Sequence, residues 1–183
     1  MKVGIIVDGP GDLLSLKTKY PGEFRILKTD GPRGHAALVK DIIGRSKKRV
    51  LMLKALSCKK IILMLDFESR SCKYEDFICE LKGELENIDL DVECFCSVPN
   101  QMIENWFLAD IEILAKRKTF LRDKLKQKNY EGLNGKEVLK KMFKKEYSYN
   151  ETIHGPQLFL EIRENIAKKN SLSFKNFLGL INK

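Results

Sequence analysis

Two short apolar runs in this chain end in acidic residues, and side chains of this kind can bind a metal cation. The runs end near residues 7 and 65, and the acids that follow them are Asp8, Asp66 and Glu68. Runs this short are typical of strands buried on both faces of a parallel sheet. Because open parallel sheets bind ligands beyond the carboxyl ends of their strands, neighbouring strands would bring these carboxylates to one edge.

A cation is the natural partner for such a cluster. Carboxylates that share a small volume need either raised pKa values or a cation between them. Mg²⁺ keeps several waters, so two carboxylates are enough to hold it, and Mn²⁺ suits the same oxygen ligands. Each acid taken alone is explained as simply by helix capping or by pairing with a lysine, so the prediction rests on the set. We expect metal ligands at Asp8, Asp12, Asp66 and Glu68, and catalytic roles for Asp8, Asp66 and Glu68.

The elements that must position these acids alternate between strands and helices in the first half of the chain. Hydrophobic patterning predicts strands at 2–8, 23–29, 60–66 and 92–98. It predicts helices from about Asp12, which suits an N-terminal cap, and at 35–56 and 73–87. This alternation is typical of an α/β fold with a parallel four-stranded sheet flanked by helices.

The second half of the chain is helical in pattern and rich in lysine. A helix at 102–110 is expected to leave the sheet, and further helices are predicted at 111–128, 135–145, 156–169 and 173–182, with loops at 129–135 and 147–155. We therefore expect an α/β core over 1–110 and a helical C-terminal subdomain over 111–183 that packs on the core.

Charge and composition limit the classes of partner that we expect for this chain. The chain has 183 residues and a net charge of +9, so a nucleic-acid partner and a merely solubilising lysine surface are equally good explanations. No apolar run is long enough to span a bilayer, and Asp8 comes too early for a signal peptide, so we expect a cytoplasmic protein with no membrane partner. The five cysteines form no metal-binding spacing and are expected to be reduced thiols.

Several motifs together resemble the TOPRIM-like family. The segment Asp8-Gly9-Pro10-Gly11-Asp12 resembles the Glu-Gly-x-x-Glu opening of TOPRIM domains, and Asp66-Phe67-Glu68 resembles their Asp-x-Asp motif. The segment Glu104-Asn105-Trp106-Phe107-Leu108-Ala109-Asp110 and the ending Ser171-Leu172-Ser173-Phe174-Lys175-Asn176-Phe177 look like motifs of an uncharacterised prokaryotic branch related to the RloB proteins. Asp stands at position 8 and Glu at position 68, where that family has Glu and Asp.

The resemblance implies a Rossmann-like sheet and a Mg²⁺-dependent nuclease that works in phage defence with an ATPase partner. The exchange of Asp and Glu changes two side-chain lengths by one methylene each, so cation binding is a safer expectation than catalysis. A non-catalytic interaction subunit with a vestigial acidic site is the alternative.

Three further residues are predicted to support the site. Glu104 would add a carboxylate, as the resemblance implies, although neutralising a helix N-terminus explains it equally well. The segment Gly31–His35 is predicted to open a helix, so that its amides, with Arg33 and His35, would contact phosphate. That segment leaves a third interpretation open, a domain that binds a nucleotide or a phosphorylated small molecule. Trp106 is expected in the core.

Overall fold

The sheet consists of four parallel strands, and its order makes the two acid-bearing strands neighbours. The structure is a computed structural model that describes residues 2–31, 35–68, 70–87 and 91–182. Its strands are β1 (Val3–Val7), β2 (Phe24–Lys28), β3 (Lys60–Met64) and β4 (Glu93–Ser97), in the order β2-β1-β3-β4. Val7 lies opposite Met64 in the register of β1 and β3, so Asp8 and Asp66 leave the sheet at the same edge. The predicted α/β fold with a parallel sheet is confirmed.

Helices cover both faces of this sheet. Their bounds are α1 (Pro10–Lys19), α2 (Val39–Ala55), α3 (Tyr74–Glu86), α4 (Glu104–Leu108), α5 (Ile111–Arg117), α6 (Gly135–Met142), α7 (Glu151–Glu161), α8 (Glu164–Asn170) and α9 (Leu172–Ile181). Alternate strand residues divide the core. Ile6, Ile61 and Leu63 pack with α2 and α3 on one face, while Ile5 and Ile62 pack with α1 and the C-terminal helices on the other.

The C-terminal helices share a core with the sheet. Trp106 is fully buried, stacks on Phe177 at 4.9 Å between ring centroids, and donates an Nε1–H hydrogen bond to Ser173 Oγ at 2.8 Å. Asp110 is buried and accepts hydrogen bonds from the backbone and the guanidinium of Arg163. The segment Glu104–Asp110 thus joins the core to helices far along the chain, and the expectation for Trp106 is confirmed.

Two helices predicted in the second half of the chain differ most from the structure. The helix predicted at 111–128 ends at Arg117, because the following segment folds back and Gln127 bonds to the backbone of Ile111 and Leu108. The helix predicted at 156–169 is two helices, broken where Asp110 binds the backbone N–H of Arg163. The first of these begins at Glu151, inside a predicted loop.

The helix predicted at 35–56 begins at Val39, so the segment Gly31–His35 does not open a helix, contrary to the prediction. Its residues 32–34 lie outside the part that the structure describes. Among the described helices, none has both the length and the apolar character needed to cross a bilayer.

Candidate functional site

A polar pocket of about 280 Å³ opens at the carboxyl ends of β1 and β3. All four residues predicted as metal ligands line it, and so does Glu104, which was predicted to support them. The described residues that line this acidic pocket contribute six carboxylates and one lysine: Asp8, Asp12, Asp66, Glu68, Glu104, Glu151 and Lys136. The sequence predictions for the first five of these acids agree with their positions in the structure.

Asp12 belongs to the N-terminus of α1, although not as its cap. The N-cap residue is Gly9, and Asp12 is the third residue of the helix. Its Oδ2 accepts a hydrogen bond from the Gly9 N–H at 2.8 Å, which satisfies one of the free donors at the helix start. Burial raises the pKa of Asp12 to about 6, against the opposing effect of this bond. The Asp12 carboxyl group is therefore held in one orientation, and burial disfavours its ionised form.

Asp66 follows β3 and is the most strongly perturbed acid of the pocket. Burial, and then the negative charges of Asp12 and Glu104, hold its pKa well above the ordinary value. Only 7% of the residue is exposed, and its Oδ1 has no hydrogen-bond partner within the described residues. A buried carboxylate oxygen without a donor is rare in folded proteins and requires a structural explanation.

Glu68 follows Asp66 on an unusual backbone. Its φ of 47° lies in the left-handed region, which residues other than glycine seldom adopt. Its N–H donates to the Gln101 carbonyl at 2.9 Å, so the loop after β4 holds this conformation. Backbone outliers of this kind concentrate at functional sites, and Glu68 lines the acidic pocket.

Glu104 extends the acidic cluster from α4. Its Oε1 accepts a hydrogen bond from the Tyr149 hydroxyl at 2.7 Å, while its Oε2 is buried without a partner in the described part of the chain. Burial raises the pKa of Glu104 to about 7, and the positive charge of Lys136 opposes this rise. The pocket thus contains a second unpartnered carboxylate oxygen.

Lys136 and Glu151, which the sequence analysis missed, complete the pocket from the helical half. Lys136 Nζ lies 2.9 Å from Glu151 Oε2. Although burial alone would lower it, the pKa of Lys136 is raised by the charges of Glu104 and Glu151. Each residue lies in the first turn of a helix that an asparagine caps, Asn134 for α6 and Asn150 for α7. These two asparagines are the signal in the sequence that could have located both residues.

Glycines let these two helices approach the acids closely. A Cβ on Gly135 would lie 2.7 Å from Asn105 Oδ1 and 3.0 Å from the Glu104 Cβ. A Cβ on Gly11 would lie 3.2 Å from the Glu151 Cβ. Only glycine permits the first of these approaches without displacement of the backbone, so Gly135 determines how near Lys136 comes to the carboxylates.

The acidic pocket suits a cation that keeps part of its water. Within the described residues, no three His, Cys, Asp or Glu side chains are already spaced to hold a metal ion. A fully protein-ligated site such as structural zinc therefore does not fit. Mg²⁺ needs only one or two carboxylates and water, and the free oxygens of Asp66 and Glu104 supply hard ligands of the right kind.

Of the two remaining predicted residues, one lies outside the described residues and the other lies away from the acidic pocket. Arg33 lies outside the described residues. His35 is exposed and does not line the pocket; its carbonyl faces Arg70 Nη1 at 3.5 Å. Arg70 also donates to the Ala37 carbonyl at 2.6 Å and stacks on Phe77.

Comparison of the chain with protein-family models, with curated proteins and with solved structures finds no match.

Proposed function

We propose that this protein binds Mg²⁺ in the acidic pocket and acts on phosphodiester bonds of nucleic acid. The observation that carries the proposal is the pair of buried, unpartnered oxygens, Asp66 Oδ1 and Glu104 Oε2, among six carboxylates. Leaving such oxygens without a donor costs free energy that a bound cation returns. The net charge of +9 supports an anionic macromolecule as substrate.

The residues of the pocket have different proposed roles. Asp66 and Glu104 are the candidate direct ligands, because each has an unpartnered oxygen, and Asp8, Asp12 and Glu68 line the same pocket. When bound, the ion would supply Lewis-acid activation of a phosphodiester and of water. Asp8 is the candidate proton acceptor, since it lies at the pocket and follows β1 directly. Tyr149 orients Glu104 through its hydroxyl.

The resemblance to TOPRIM-like proteins supports a setting in phage defence beside an ATPase partner.

Two experiments distinguish metal binding from catalysis. Calorimetric titration with Mg²⁺ and with Mn²⁺ is expected to give saturable binding that Asp66→Asn removes and that Asp30→Asn, at an exposed acid outside the pocket, leaves intact. Incubation of labelled DNA, RNA and transfer RNA with the metal-loaded protein is expected to give cleavage that Asp66→Asn abolishes. Absence of metal binding by the wild type would refute the proposal.

A second candidate function, a non-catalytic interaction subunit, is favoured by one contact. Lys136 already brings a positive charge to the acids and pairs with Glu151, so the pocket has a partial substitute for a metal. On this interpretation Mg²⁺ neither binds nor stabilises the chain, and a stable complex with a partner ATPase is insensitive to Asp66→Asn. Thermal unfolding with and without Mg²⁺ distinguishes the two candidates.

A further inference from the structure

Within the described part of the chain, no strand pairs with the outer edge of β4, and the chemistry of this edge differs from that of the opposite edge of the sheet. β4 (Glu93–Ser97) is the terminal strand beside β3, and β2 is the terminal strand at the other side. Exposed sheet edges are usually protected by basic residues, prolines or bulges. β2 has this protection, with Arg25 and Lys28 exposed, whereas the one charged residue of β4 is Glu93 at its first position. Phe95 in the middle of β4 is 36% exposed, with Lys60 Nζ 5.2 Å from its ring centroid.

A groove of about 690 Å³ runs along this open edge, between α3 and α9. Apolar side chains supply much of its lining, with Ile78 from α3, Phe95 from β4 and Leu180 from α9. Ser97 also lines it, is only 4% exposed, and has an Oγ without a hydrogen-bond partner in the described residues.

The backbone of β4 defines which groups face outward. Glu93 N–H donates to the Lys59 carbonyl, and the Ser97 carbonyl accepts from Leu65 N–H. In a parallel strand both backbone groups of one residue point to the same side and alternate along the chain. Glu93, Phe95 and Ser97 therefore direct their backbone groups to β3, and Cys94 and Cys96 direct theirs away from it.

We propose that a second copy of this chain pairs antiparallel with β4 about a two-fold axis at Phe95. In this register Cys94 lies opposite Cys96 of the other copy, so every outward N–H and C=O of the two strands is hydrogen-bonded. The two Phe95 rings meet as a non-hydrogen-bonded pair, the closest kind of cross-strand neighbour. The two sheets become one continuous sheet.

The same register matches the polar ends of the strand. Glu93, Phe95 and Ser97 share one face, because side chains alternate along a strand. An axis at Phe95 brings Glu93 of each copy opposite Ser97 of the other, at the ends of the paired segment. The two Glu93 carboxylates stay at opposite ends and do not repel. Such self-complementarity is what an isologous interface requires.

Light scattering coupled to size-exclusion chromatography tests the proposal. The wild-type chain is expected at twice its 21.1 kDa mass at micromolar concentration. Phe95→Glu places two like charges on the axis, and Cys96→Pro removes an outward N–H without loss of a bond to β3, so both variants are expected at the single mass. Lys28→Pro, the matched change on the other edge strand, is expected to leave the dimer intact. Buried Trp106 provides a fluorescence check that each variant is folded.

A covalent readout fixes the register. Non-hydrogen-bonded partners have Cα atoms about 4.5 Å apart, within the range of a disulfide. Phe95→Cys, in a chain whose exposed Cys72 and Cys79 and whose strand residues Cys94 and Cys96 are all replaced by serine, is therefore expected to give a disulfide-linked dimer on mild oxidation. Lys28→Cys in the same background is expected to give none. A wild-type chain of single mass, a dimer that withstands both Phe95→Glu and Cys96→Pro, or failure of the Phe95→Cys crosslink would overturn the proposal.

Discussion

Replacement of Glu104 by glutamine is expected to stabilise the metal-free protein at neutral pH while it weakens the proposed cation site. The side chain is 1% exposed, and burial raises its pKa from 4.5 to about 7. Because the folded state holds this proton more tightly than the unfolded state, the free energy of unfolding falls as pH rises from 4.5 through 7. The full penalty, present above pH 7, is about 3 kcal/mol at 1.36 kcal/mol per pKa unit.

Glutamine avoids this penalty because it never ionises. It keeps an oxygen to accept the hydrogen bond from the Tyr149 hydroxyl, and its amide group takes the position of the unpartnered Oε2. We expect Glu104→Gln to gain about 3 kcal/mol at about pH 8 and under about 1 kcal/mol at about pH 5. In return, Mg²⁺ should stabilise the variant less than it stabilises the wild type, because one hard anionic ligand is lost.

Urea unfolding followed by Trp106 fluorescence measures these differences, since this tryptophan is fully buried in the folded state. Glu137→Gln is a suitable control, because that glutamate lies on the surface and pairs with Lys140. The control variant should follow the wild-type pH dependence between the two conditions. If Glu104→Gln destabilises the protein by the same amount at acid and alkaline pH, the pKa of Glu104 is not raised by burial, and the prediction is wrong.

Three other substitutions probe the same pocket. Lys136→Met should lower the stability of the folded protein above about pH 7, because the acids of the pocket lose their counter-charge. Mg²⁺ should restore this stability in thermal unfolding, and a loss of stability that Mg²⁺ leaves unchanged would favour the non-catalytic interaction subunit. Tyr149→Phe removes a hydrogen bond that stabilises the charged form of Glu104, so the pKa of Glu104 should rise above about 7 in an NMR titration. An unchanged pKa of Glu104 would contradict the hydrogen bond from Tyr149. Gly135→Ala should cost about 1–3 kcal/mol in urea unfolding, because its Cβ would lie 2.7 Å from Asn105 Oδ1, whereas Gly44→Ala, with open space around it, should be neutral or stabilising.

Hydrophobic periodicity and the positions of strand ends were enough to predict the sheet and part of the candidate site. The four strands could be predicted because each buried run is short and flanked by turn residues, and their parallel arrangement followed from the alternation with helices. Asp8 and Asp66 could be placed together because carboxyl ends of neighbouring parallel strands share an edge. Glu104 was found only through the resemblance, since nothing in its local pattern distinguishes a pocket acid from a helix-end acid.

The rest depended on contacts between distant parts of the chain. Lys136 and Glu151 reach the acids because α6 and α7 pack across α4 and α1, and no local pattern predicts which helix faces the sheet edge. The break after α7 depends on Asp110, more than fifty residues earlier in the chain, which binds the backbone of Arg163. The start of the second helix was predicted wrongly, because α2 begins at Val39 and its N-terminus lies beyond His35. Phosphate contact by the segment Gly31–His35 stays a prediction.

The helical half of the chain therefore belongs to the candidate site as much as the sheet does. The strands alone would bring Asp8, Asp66 and Glu68 to an open edge, where water would solvate them. The burial that raises the pKa of Glu104 to about 7 requires the cover that Tyr149 and Lys136 provide from the C-terminal helices. A cover that makes the charged acids costly also makes a cation bind more strongly, because water competes less for both. Removal of the C-terminal helices should thus abolish cation binding even if every predicted ligand remained in place.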